Sequence, residues 1–191
     1  MLSTSNSRTP APEPMIRLFA AIALPEEVAE GLTIRQYGVE GARWRPMEAL
    51  HITLRFFGEV QERMADDLDA ELSAVGGAPF TVSLAGVGSF GEGALVRALW
   101  AGVVENPALN QLAGRCEAAA RRAGLAPETR AYRPHVTLAY TKKPDPREVA
   151  IWVQSHNLLK SPPFAVDRFG LYSSHRTSEG SRYRLEREYR I

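Results

Sequence analysis

A chain of 191 residues with 24% charged side chains and a net charge of +1 has no overall field to gather nucleic acid or an anionic membrane, so any anion site must be built locally. Its 45% hydrophobic content is ordinary for a globular protein, and no apolar run approaches membrane-spanning length. The single Cys116 excludes an internal disulfide and cysteine-rich metal sites, and points to a reducing cytoplasm.

Residues 1–14, "MLSTSNSRTPAPEP", hold almost nothing apolar and lack the hydrophobic stretch of a secretory signal. They are expected to form a loose tail ahead of one bilobal domain over 15–191. "MIRLFAAIAL" (15–24) is apolar on both faces and predicts a central strand. Pro25, Glu26 and Glu27 open a helix with an apolar stripe at Val28 and Leu32. "RWRP" (43–46) is a short extended piece, and "HITLRFF" (51–57) is a strand that Gly58 is expected to end. Met64, Leu68, Leu72 and Val75 share one helical face, stopped by Gly76 and Gly77. "FTVSLAGV" (80–87) and "ALVRALWAGV" (94–103) predict two further strands.

The second half repeats the plan. Asn106 and Pro107 start a helix whose buried face holds Leu109, Leu112, Cys116, Ala120 and Ala123, and Gly124 closes it. "HVTLAY" (135–140) is a strand. Asp145, Pro146 and Glu148 resemble a capping box that opens a helix running to about His156. "FAVDRFGLY" (164–172) and "YRLEREYRI" (183–191) are strands; in the last, Tyr183, Leu185, Tyr189 and Ile191 alternate with Arg184, Glu186, Glu188 and Arg190. The order predicts an α+β fold: two pseudo-symmetric lobes, each an antiparallel sheet with outer helices, around a central cleft.

Two of the four histidines sit in one repeated pattern, "HITL" at 51–54 and "HVTL" at 135–138. Coincidence would give this with a probability on the order of 10⁻⁴. Strand side chains alternate, so His51 shares a face with Thr53, and His135 with Thr137. Ile52, Leu54, Val136 and Leu138 point to the opposite face and anchor a core. If the strands meet, two imidazoles and two hydroxyls share a cleft. One imidazole can take a proton from an attacking oxygen while the other gives one to a leaving oxygen, and the hydroxyls can donate to non-bridging phosphate oxygens. With an ordinary histidine pKa near 6.5, the pair predicts a bell-shaped pH profile bracketing neutrality. One good ligand per strand makes a poor zinc site, so no metal or cofactor is expected.

The stretches "RLFAAIALPEEV", "HITLRFFGEV", "PFTVSLAGVGSFG", "RALWAGV", "RPHVTLAY" and "DRFGLYSS", in this order, resemble the bacterial 2′-5′ RNA ligase / RNA 2′,3′-cyclic phosphodiesterase family of the two-histidine phosphoesterase superfamily. The resemblance covers residues 15–191. It implies metal-independent hydrolysis of a 2′,3′-cyclic phosphate to a 2′-phosphomonoester, with ligation as the reverse reaction. It matches His51 to the acid for the 3′ leaving oxygen, His135 to the base for water, and Thr53 and Thr137 to phosphate-holding hydroxyls. Family members often carry Arg five positions after the second histidine, where this chain has Tyr140; Arg55, Arg133, Lys142 or Arg176 are candidates to compensate. Phe56 corresponds to a family aromatic that stacks on a base, although simple alternation turns it away from His51.

The implied partner is an RNA or nucleotide with a 2′,3′-cyclic phosphate end, tRNA included, bound by a cytoplasmic monomer without membrane contact. Two alternatives stay open: a phosphodiesterase acting on a small cyclic nucleotide, and a non-catalytic binder of phosphorylated RNA ends. His156 reads as a half-buried helix-end residue, His175 as part of a solvent-exposed polar loop, and Cys116 as an inert core thiol.

Overall fold

The structure, a computed structural model, describes residues 14–177 and 180–191; the expected tail, apart from Pro14, lies outside them. Among the described residues the chain forms ten strands and four α-helices. In order they are β1 (Met15–Ala23), α1 (Glu26–Thr33), β2 (Arg43–Trp44), β3 (His51–Gln61), α2 (Glu62–Ser73), β4 (Phe80–Val82) and β5 (Leu84–Phe90). There follow β6 (Ala98–Val103), α3 (Pro107–Arg122), β7 (His135–Tyr140), α4 (Pro146–His156), β8 (Phe164–Val166), β9 (Arg168–Thr177) and β10 (Gly180–Arg190).

The α+β expectation holds. One antiparallel sheet runs β10-β9-β1-β3-β7-β6-β5, with β2 pairing the far end of β7 along the same edge as β3. The lobes are therefore the two halves of a single sheet, joined where β3 meets β7 through one registered pair, Ile52 with Val136. A second, two-stranded sheet pairs β4 with β8 about Thr81 and Ala165. Val136 follows Ile52 by 84 positions, and Ala165 follows Thr81 by the same 84. A local two-fold passes through both pairs, so the halves of the chain are related by a common offset.

Helix ends follow the expected chemistry in part. The Asn106 side chain accepts the Leu109 N–H at 3.0 Å and Pro107 opens α3. Gly124, at φ +87°, supplies the left-handed residue beyond its end. Asp145 caps α4 by accepting from Arg147 N–H. Glu148 does not close the expected capping box; its carboxylate accepts the Glu40 N–H at 2.7 Å and ties α4 to the segment after α1. α2 and α3 pack against one half-sheet, while α4 packs on β5 of the other.

Four strands differ from expectation. Gly58 does not end β3, which runs on to Gln61; at φ +78° it sits beside a bulge where Leu18 pairs with Gly58 and Phe19 with Phe56. The predicted strand 80–87 splits at Ser83 into β4 and β5, and 164–172 splits at Asp167 into β8 and β9. Each break lets the chain leave the small sheet and enter the large one, a change of partner that alternation along one segment does not encode. Residues 94 and 95 lie in a 3-10 turn before β6 rather than in the strand.

The core lies between the sheet and the helices, and Ile52 and Val136 are fully buried in it. Ile52→Ala removes the larger member of the pair that joins the half-sheets. It is expected to destabilise the protein by ~2–5 kcal/mol, read as a lower urea midpoint at unchanged m-value.

Candidate active site

The antiparallel pairing of Ile52 with Val136 determines what stands around it. Continuing the ladder by one residue either way sets His51 across from Thr137, and Thr53 across from His135. The aliphatic pair points into the helix layer, so the histidines and threonines point to the other face. The two histidines are diagonal neighbours, about 7–8 Å apart across the ladder. All four side chains are half-buried, and among the described residues neither threonine hydroxyl has a hydrogen-bond partner.

Both imidazoles are held alike. His51 Nδ1 lies 2.9 Å from the Ala49 carbonyl, and His135 Nδ1 lies 2.7 Å from the Arg133 carbonyl. A carbonyl only accepts, so each Nδ1 carries the hydrogen and each Nε2 presents a lone pair. Aromatic rings wall the site. His51 stacks on Phe19 at 4.9 Å and meets the edge of Tyr183 at 5.3 Å; His135 meets the edge of Phe90 at 4.8 Å. Trp100 packs beside Phe90, its indole lying directly over Gly88, where a Cβ would collide with the ring.

This apolar wall acts on the protons. Burial pushes the His51 imidazole down to about 4, and the charges of Arg45 and His135 push the same way; the bond to Ala49 opposes them. Burial also lowers His135, against the bond to Arg133. Both are therefore neutral near pH 7 in the unliganded protein.

The family model of the 2′-5′ RNA ligase superfamily matches residues 24–178. The chain belongs to this superfamily. It is 31% identical over 172 residues to an Archaeoglobus fulgidus protein named RNA 2′,3′-cyclic phosphodiesterase, covering 88% of this chain and 97% of that one. A protein of the same name from Escherichia coli is 30% identical over 176 residues, covering 87% and 92% of the two chains. Among solved structures, Escherichia coli LigT complexed with 3′-AMP superposes with a TM-score of 0.76 at 26% identity, covering 93% of this chain and 99% of LigT.

In this superfamily member the remaining candidates part company. Phe56, which alternation turns inward, faces the cleft: it pairs with Phe19, lies 5.4 Å from that ring and is 41% exposed. Arg55, expected beside Thr53, pairs instead with Ala20, whose side chain belongs to the helix-facing core. One bulge at Leu54 accounts for both, because an extra residue reverses the faces that follow it, until the second bulge beside Gly58 restores them. The Arg55 guanidinium then bonds Glu117 at 2.5 Å and the Ala126 carbonyl at 2.8 Å, with Glu128 at 3.7 Å. It straps β3 to α3, with its guanidinium turned to these acceptors and away from the cleft face. Arg133 is exposed and contributes its carbonyl to His135; Lys142 and Arg176 are exposed side chains.

Tyr140 is partly exposed, with the Arg45 guanidinium 5.7 Å from its ring. Arg45 itself passed unnoticed in "RWRP", as did the ring residues Phe19, Phe90, Tyr172 and Tyr183. The available signal was the alternation in that short piece: Trp44 turns to Trp152 of α4, which leaves Arg43 and Arg45 for the other face.

With a side chain only 10% exposed, Arg55 when removed leaves the Glu117 carboxylate without its cation, while Glu128 keeps Arg130 at 2.8 Å. Arg55→Ala is expected to cost about 3 kcal/mol of stability, measured by denaturant unfolding.

Proposed function

We propose that this protein hydrolyses RNA 2′,3′-cyclic phosphate ends to 2′-phosphomonoesters by paired-histidine acid–base catalysis. The observation that carries the reading is the pair of imidazoles on β3 and β7, each with Nδ1 bonded to backbone and, among the described residues, no partner on Nε2, each beside a threonine hydroxyl. The names of the curated relatives support hydrolysis of a 2′,3′-cyclic phosphate, and the 3′-AMP held by LigT supports a nucleotide as the class of ligand.

The steps follow from that arrangement. His135 Nε2 takes a proton from water as its oxygen attacks phosphorus. The P–O3′ bond breaks, and protonated His51 delivers its proton to the departing 3′ oxygen. The hydroxyls of Thr53 and Thr137 donate to the non-bridging oxygens as charge builds there. The product keeps its phosphate on the 2′ oxygen, and the proton now on His135 returns through solvent. Run backwards with a 5′-hydroxyl in place of water, the same steps form a 2′-5′ linkage; water in excess favours hydrolysis. The assignment of acid and base follows the family resemblance. Because both imidazoles rest neutral, the proton on His51 enters with the substrate, whose anionic phosphate raises a neighbouring imidazole.

We place the activity in the cytoplasm, on RNA ends that include tRNA fragments, in a monomer. Among the described residues no helix is long and apolar enough to cross a membrane.

His51→Ala and His135→Ala are each expected to slow cleavage of a cyclic-phosphate RNA end by at least about 10²-fold while circular dichroism stays unchanged. Wild-type turnover in both variants refutes the reading, as does a product carrying the phosphate on the 3′ oxygen.

The pH profile should depart from the neutral bell that composition predicts. An imidazole with a disfavoured charged form stays a free base to lower pH, and as an acid it loses its proton at lower pH. Both limbs of kcat/KM therefore move down, and its optimum lies below about 6.5. The optimum for kcat, reported by the complex with the bound anion, lies higher. A kcat/KM optimum above neutrality contradicts the assignment. EDTA should leave the rate unchanged, since no step passes through a metal.

A further inference from the structure

We infer that Arg45 is the anion anchor of the cleft, its guanidinium receiving the non-bridging oxygens of the reacting phosphate on the His51 side. The inference rests on the phosphodiesterase reading for its substrate, but its evidence is the state of one side chain.

Arg45 is only 8% exposed, yet among the described residues no carboxylate pairs with it. A guanidinium has five N–H donors, and the acceptor here is a single carbonyl, Ser181 O, at a long 3.4 Å. The Tyr183 and Tyr140 rings lie 5.0 and 5.7 Å from its central carbon. Aromatic faces stabilise a cation without using its in-plane hydrogens. Arg55 provides the contrast within the same molecule, buried to a similar degree but matched by Glu117 and Glu128. A cation removed from water without a counter-charge is costly unless an anion arrives to pair with it.

Its position suits an anchor. Arg45 N–H bonds the Leu138 carbonyl of β7 at 2.8 Å, one residue from Thr137. From Arg45 the chain passes through Pro46 and a 3-10 turn, Met47–Ala49, to Ala49, whose carbonyl holds His51. Cation and imidazole thus ride on one short, braced segment, and the charge of Arg45 is felt at His51. A planar fork meets two phosphate oxygens at once, which a phenol such as Tyr140 does not do.

The competing role is structural: a clamp on the β9–β10 hairpin through Ser181 and Tyr183. Calorimetric titration of inorganic phosphate, and of a nucleoside 2′-monophosphate, into wild type, Arg45→Met and Arg45→Lys separates the two. Arg45→Met should weaken both ligands at least tenfold, and Arg45→Lys, which keeps the charge but loses the fork, about three- to tenfold. KM for a nucleoside 2′,3′-cyclic phosphate and for an RNA oligomer with the same end should rise by similar factors. Thermal melting without phosphate should not fall in Arg45→Met, because the variant sheds an unpaired charge.

Phosphate affinity within twofold of wild type in a folded Arg45→Met, or a KM effect confined to the oligomer, overturns the anchor. If Arg45→Met does not fold, unchanged affinity in Arg45→Lys overturns it equally. Arg45-dependent phosphate binding in a wild type that turns over no cyclic phosphate keeps the anchor and removes the phosphodiesterase reading; normal turnover with Arg45-independent phosphate binding does the reverse.

Discussion

Everything in this molecule turns on one antiparallel contact, Ile52 against Val136. The pair is fully buried, joins two half-sheets into one, and lies on a local two-fold. Because strand side chains alternate, burying this aliphatic pair forces the residues on either side of it to the opposite face. Those residues are the histidines and threonines. Stability and chemistry are thus two faces of one crossing, and neither changes register without the other.

The two-fold explains why the imidazoles are so alike. Each is held through Nδ1 by the carbonyl two residues before it, and each is desolvated by neighbouring rings. A symmetric pair alone gives no direction to proton transfer. The asymmetry comes from outside the repeat. On the His51 side stand Arg45, Phe19 and Tyr183; on the His135 side stand Phe90 and Trp100. A reaction that needs one acid and one base calls for such a difference.

Bulges did most to separate alternation from placement. At Leu54 the extra residue sends Arg55 to α3 and Phe56 to the cleft, the reverse of what a regular strand implies. The breaks at Ser83 and Asp167 let two segments each serve two sheets. These are local backbone choices decided by the partner strand: a bulge is an agreement between two strands, and only one of them lies in the segment being read.

The sequence by itself determined the element order, most helix ends, the α+β class and the four residues of the doubled motif. It could do so because periodicity and capping are local, and because a repeat at a constant offset survives without knowledge of contacts. Tertiary structure alone decided that the motifs meet, that Arg55 is spent on Glu117 and that Arg45, just after a two-residue strand, lies beside Tyr140 and Tyr183 with no counter-charge among the described residues. It also decided that both imidazoles rest neutral. Burial and pairing are properties of what surrounds a side chain, and those surroundings arrive from strands distant along the chain.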